Sequence, residues 1–160
     1  MCFKRKNRGE VVRGLAWALV TGSTLGIGRQ YAERLAELGY NLVMVDILEE
    51  VATEAQIIAE KHKVECRYVV KDLATATAAR ELHAWTVENG YTFDVVINNA
   101  GMFSFCDILA TPIERIQKIV YLHDITTTIM CRLYAADMIE RGGGHILNMS
   151  SYSIWMPYPG

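Results

Sequence analysis

The sequence predicts an α/β fold, a doubly wound parallel sheet with helices on both faces. Three observations carry this. Short apolar runs alternate with longer stretches whose apolar residues recur at helical spacing. The runs are continuous rather than alternating apolar and polar, as in strands buried on both faces. Each run ends in small or polar residues that turn the chain into the next helix, so the connections read as right-handed crossovers between parallel strands. At 160 residues, 51% hydrophobic and 21% charged, the chain fits one domain with a core of its own.

Leu15 to Val20 reads as the first buried strand and ends at Thr21-Gly22. The first helix runs from Gly26 to Leu38, with Ile27, Tyr31, Leu35 and Leu38 at helical spacing and Gly39 as its stop. Asn41 to Asp46 is a second strand, Glu49 to Lys63 a helix, Glu65 to Lys71 a third strand, and the Ala-rich stretch Ala76 to Glu88 a third helix. Phe93 to Ile97 is a fourth strand, followed by Asn98-Asn99-Ala100-Gly101 and a loop to Thr111. Pro112 suits a first helical turn, and one helix is expected from there to Glu140, held by burial because Thr126, Thr127 and Thr128 have weak helical propensity. Gly142-Gly143-Gly144 breaks it, and His145 to Met149 is the fifth strand.

Composition narrows the function classes. A net charge of -2 supplies no field for nucleic acid or a membrane surface, and neither partner is expected. No apolar run approaches the ~20 residues of a spanning helix. Cys2, Cys66, Cys106 and Cys131 form no C-x-x-C pair, and His62, His83 and His145 lack ligand spacing, so no metal is expected. Residues 1–14 carry Lys4, Arg5, Lys6 and Arg8 and read as a solvated basic tail ahead of a domain over 15–160, with a cytoplasmic location expected. Trp17, Trp85 and Trp155 read as packing residues, although Trp155 and Met156 are also candidates for lining a substrate pocket.

The turn after the first strand carries the chemistry. Thr21-Gly22-Ser23-Thr24-Leu25-Gly26-Ile27-Gly28 joins strand to helix, the context a dinucleotide-binding loop requires. Gly22 permits a tight turn, Gly26 lets backbone approach a pyrophosphate, and Gly28 lets the helix pack close to the sheet. The free N–H groups and dipole of the helix N-terminus favour an anion. The alternative is a purely structural glycine turn. Asp46 ends the second strand, 18 residues after Gly28, where a carboxylate can accept ribose hydroxyls and repel a 2'-phosphate; NAD(H) is therefore expected over NADP(H). Its alternative role is to cap the following helix.

The T-G-x-x-x-G-x-G spacing, with Asn98-Asn99-Ala100-Gly101 and Asn148-Met149-Ser150-Ser151, resembles the short-chain dehydrogenase/reductase family, from Trp17 onward and over that family's front part. The resemblance implies a Rossmann-type fold and an NAD(P)-dependent oxidoreductase that moves hydride between nicotinamide and an alcohol or ketone. It sets Gly22, Ser23, Thr24, Gly26, Ile27 and Gly28 on the cofactor, Asp72-Leu73 beside adenine, and Asn99, Ala100 and Gly101 beside the nicotinamide ribose, with Asn98 mainly structural. It gives Ser151 the role of polarising the substrate oxygen, with Ser150 turned the other way, and puts His123 where the family carries an Asn of its proton relay. The family's Tyr-x-x-x-Lys is not matched: only nine residues follow Ser151, Tyr152 and Tyr158 stand too close to it, and no Lys follows Lys118. The chain is thus expected to stop before the acid/base pair and the sheet's last strands. Alone it should be inactive, with its fifth strand an exposed apolar edge, and the full-length protein should be a homo-oligomer. A non-catalytic dinucleotide-binding module and an inactive truncated fragment are the rival readings.

Overall fold

The computed structural model describes residues 16–103 and 107–151. The basic tail, Leu15, and residues 152–160 with Tyr152, Trp155, Met156 and Tyr158 lie outside them. Five strands, β1 (Trp17–Thr21), β2 (Asn41–Asp46), β3 (Cys66–Val70), β4 (Val95–Asn98) and β5 (His145–Asn148), form one sheet in the order β3-β2-β1-β4-β5, every neighbouring pair parallel. Helices α1 (Gly26–Glu37), α2 (Val51–His62), α3 (Ala78–Glu88), α4 (Ile113–Val120) and α5 (Thr127–Arg141) connect them. This is the doubly wound, Rossmann-type arrangement that the continuous apolar runs predict.

The period-two geometry of β1 and β2 divides the core. Leu19, Val43 and Val45 face one side with Leu82, Met130, Tyr134 and Met138 from α3 and α5. Ala18, Val20, Leu42 and Met44 face the other, against Ala32 and Leu35 of α1 and Ala55 and Ile58 of α2. Helix α1 buries Gly28, Ala32, Leu35 and Ala36, one stripe at helical spacing. It stops where the N–H groups of Gly39 and Tyr40 bond back to Ala36 and Leu35. Trp17 and Trp85 both pack on Tyr91, with ring centroids 4.8 and 5.5 Å away.

The helix expected from Pro112 to Glu140 forms as one unbroken helical run over residues 113–141, with a π-helical turn at Tyr121–Thr126 between α4 and α5. The wider turn buries Leu122 and Thr126 together, the Thr126 hydroxyl donates to the Leu73 carbonyl at 2.8 Å, and the Thr127 hydroxyl donates to Leu122 O, five residues back. The sheet is not covered evenly. At one edge Tyr68 and Val70 of β3, which pairs with β2 alone, are exposed. At the other edge β5 pairs with β4 alone and leaves Leu147 exposed.

Candidate functional site

The strand order reverses between β1 and β4, and there the carboxyl ends of the strands leave a crevice, the usual ligand position in such sheets. The loop after β1 reaches this crevice in a fixed shape. Gly22 donates its N–H to Val45 O at 2.8 Å, and at φ +63° a side chain there would be strained; its Cβ would also stand 2.8 Å from the Ala100 Cα. A Cβ on Gly28 would lie 2.0 Å from the Gly22 carbonyl oxygen, so helix and loop touch backbone to backbone. Around Gly26 the space is open, with no atom within 4 Å of an added Cβ. No side chain caps the N-terminus of α1, and its first N–H groups remain for another acceptor. Ser23 and Thr24 point inward instead: Ser23 Oγ donates to Val45 O, and the Thr24 hydroxyl is buried with no hydrogen-bond partner. Leu25 and Ile27 are exposed.

Thr21, at the end of β1, is the hub between this loop and β4. Its Oγ1 accepts the N–H groups of Asn99 and Ala100, both at 3.0 Å. Asn99 returns the contact, its side-chain amide donating to the carbonyls of Thr21 and Gly22 at 3.0 Å each. The Asn99 side chain is thereby committed to the loop, and backbone is what residues 99–101 present to the crevice. Asn98 Nδ2 donates to Asn148 Oδ1 at 2.8 Å and ties β4 to β5.

The pocket at this edge is lined by Gly22, Asp46, Asp72, Leu73, Ala100 and Gly101, six of the residues singled out in the sequence. Asp46 is 9% exposed. One of its oxygens accepts the Thr24 N–H at 2.9 Å and the other the Leu48 N–H at 3.2 Å. It braces the glycine loop and its own turn; α2 begins later, at Val51, and Asp46 does not cap it. Burial pushes the Asp72 carboxyl up, but the Ala74 N–H and the Lys118 ammonium outweigh it, and the group sits below its ordinary value.

The pocket also includes Ile47, Lys71, Ala74, Met102, Lys118 and Leu122, which the sequence reading did not place there. Lys118 and Leu122 are four apart and share a helical face, the one signal that could have paired them. Both lysines are engaged, Lys71 with Glu81 at 2.6 Å and Lys118 with Asp72 at 3.1 Å. His123 leaves the π turn with Nε2 at 3.1 Å from Met102 N and 2.9 Å from Met102 O; the tautomer decides which it meets. Ser151 is exposed, three residues beyond the end of β5, and Ser150 before it is exposed as well. Among the described residues no group of His, Cys, Asp and Glu is arranged to hold a metal, and no helix is long and apolar enough to cross a membrane.

A parallel α/β sheet with a glycine-lined crevice at its switch point defines a nucleotide-binding class of the Rossmann type. Within that class the match is specific: the model of the short chain dehydrogenase family fits residues 16–160. The chain belongs to that family, whose members bind NAD(P). It is 35% identical to a very-long-chain 3-oxoacyl-CoA reductase of Homo sapiens, across 96% of this chain and 50% of that one. An uncharacterised oxidoreductase of Thermotoga maritima is 32% identical across 89% of this chain and 56% of its own length. Among solved structures, a bulky-bulky ketone specific alcohol dehydrogenase from Comamonas testosteroni superposes with a TM-score of 0.82 at 31% identity, covering 90% of this chain and 58% of that one. L-sorbose reductase from Gluconobacter frateurii, complexed with NADPH and L-sorbose, gives 0.83 at 28% identity over 92% and 56%. The chain thus spans about half the length of the curated relatives it matches.

Proposed function

We propose that this protein is an NAD(P)-dependent oxidoreductase acting on an alcohol or ketone, and that residues 16–151 supply its cofactor site. The observation that carries this is the start of α1, uncapped, with open space at Gly26 and a buried, unpartnered Thr24 hydroxyl nearby. That donor-rich, sterically open corner suits a pyrophosphate. Gly26 to Gly28 would hold the phosphates, Asp46 the adenine ribose, Asp72 and Leu73 the adenine, and the backbone of residues 99–101 the nicotinamide ribose. The bound cofactor supplies or takes hydride at its nicotinamide ring. For their part, Ser151 would polarise the substrate oxygen, and His123 would hold the Gly101–Met102 backbone beside it. The relatives' names, a 3-oxoacyl-CoA reductase and a ketone-specific dehydrogenase, support a carbonyl substrate.

We further propose NAD(H) over NADP(H). Asp46 brings a carboxylate into the pocket, and the lysines lining it are each paired with a carboxylate, so a 2'-phosphate would meet repulsion without a ready cation. Solved relatives that carry NADPH make this the finer point to test. Fluorescence titration with NADH and NADPH is expected to show NADH binding at least ~10-fold tighter, about 1.4 kcal/mol. Equal affinity would reject the preference, and no binding of either would reject the site.

A further inference from the structure

We infer that Arg115 is a positioning residue for the nicotinamide half of the cofactor: from α4 it holds the Phe103 carbonyl and, together with His123 on Met102, fixes the backbone that continues from residues 99–101. This rests on the proposal above that the backbone of residues 99–101 borders the nicotinamide ribose. The Arg115 guanidinium donates to Phe103 O at 2.6 Å. His123 Nε2 stands 3.1 Å from Met102 N and 2.9 Å from Met102 O. Its ring also backs onto Gly101, where an added Cβ would lie 3.0 Å from His123 Cε1. Residues 101–103 are thus met, one after another, by side chains from a single helical run. Toward β1 the segment is anchored separately, by the Asn99 and Ala100 N–H groups on Thr21 Oγ1.

Arg115 and His123 are eight residues apart, and an ideal α-helix would leave their side chains about 80° apart around its axis. The π turn over Tyr121–Thr126 bonds five residues back rather than four. Each of its residues therefore turns through a smaller angle, and the two side chains come round toward one face. No residue of α4 is buried, and the helix is tied to the loops after β3 and β4 by Lys118 on Asp72 and Arg115 on Phe103. A guanidinium suits the second tie, because it is always charged and a charged donor bonds a carbonyl more strongly than a neutral one. The pyrophosphate is proposed at the start of α1, so loss of Arg115 should be felt at the nicotinamide end alone.

The test is calorimetric titration of the wild-type protein, Arg115→Met and Arg115→Lys with NADH and with ADP-ribose, which lacks the nicotinamide. Arg115 is exposed, and its replacement takes nothing from the core. Wild type is expected to bind NADH more tightly than ADP-ribose. Arg115→Met should weaken NADH by about 5- to 10-fold, the worth of one hydrogen bond, and leave ADP-ribose unchanged. Arg115→Lys, which keeps a charged donor, should recover much of the loss. If Arg115→Met weakens both ligands equally, weakens only ADP-ribose, or changes neither, the inference falls while the cofactor site stands. It falls likewise if the wild type binds NADH no more tightly than ADP-ribose. Failure of the wild type to bind ADP-ribose would instead overturn the site reading, and this inference with it.

Discussion

Gly28 and Gly26 stand two residues apart in one loop, yet the structure assigns them different penalties. In Gly28→Ala the new methyl would lie 2.0 Å from the Gly22 carbonyl oxygen and 2.3 Å from Asn99 Nδ2. Neither neighbour can yield cheaply: one is backbone, and the other is pinned by bonds to Thr21 O and Gly22 O. Forcing extra volume into a packed site costs about 1–3 kcal/mol. Losing the two Asn99 bonds adds about 1 kcal/mol each. The expected loss is about 3–5 kcal/mol, about a fifth or more of what holds an ordinary domain together. In Gly26→Ala the methyl meets nothing within 4 Å, and the penalty is the φ of +56°, about 1 kcal/mol. That methyl stands in the space proposed above for the pyrophosphate, so ADP-ribose affinity should fall by more than ~10-fold. Urea unfolding followed by circular dichroism measures the first pair of numbers and calorimetry the last. A Gly28→Ala loss below about 1 kcal/mol, or wild-type affinity in Gly26→Ala, would refute the reasoning.

Two further outcomes are expected. Glu33 accepts from Lys61 Nζ at 2.5 Å and His62 Nε2 at 2.6 Å, and these bonds hold its carboxyl below the usual range. A depressed carboxyl stabilises the fold above its unfolded pKa and loses that contribution as pH falls through the folded one. Glu33→Gln should therefore cost about 1 kcal/mol near pH 7, chiefly through His62 because Lys61 is exposed and screened. The deficit should close in denaturation curves below about pH 4, and a pH-independent deficit would contradict the linkage. His123→Phe removes the ring nitrogen facing Met102, so native-state hydrogen exchange at the Met102 amide should quicken about fivefold to tenfold. An unchanged rate would mean that the imidazole instead donates to the Met102 carbonyl.

Much of this was legible from local pattern. Runs such as Leu42 to Val45 are continuous because both faces of the strand are buried, and their alternation with helices implies the parallel order. The glycine loop is legible because its requirements are local: a turn, an open corner and a close approach. What escaped depends on partners far along the chain. An apolar run does not say whether a strand lies at the centre or the edge, and so the exposure of Tyr68 and Val70 was not foreseen. The π turn depends on Thr126 meeting Leu73, 53 residues away, and no helical period announces that. Lys118 becomes part of the pocket only when α4 crosses to Asp72. Thr21 reads as a strand end; its hydroxyl becomes a hub once β4 lies beside β1.

That hub sets an order of assembly. The glycine loop is complete by residue 28, and yet its shape is held by Asn99 and Ala100, 77 to 79 residues after their partners Thr21 and Gly22. A nascent chain would present the first strand, loop and helix long before the residues that brace them leave the ribosome. Closing so long a loop carries an entropic penalty that local contacts cannot offset. Nucleotide binding should therefore appear abruptly, when β4 docks against β1, rather than build up with chain length. Chains arrested before Asn99 would carry the recognisable glycine motif without its grip.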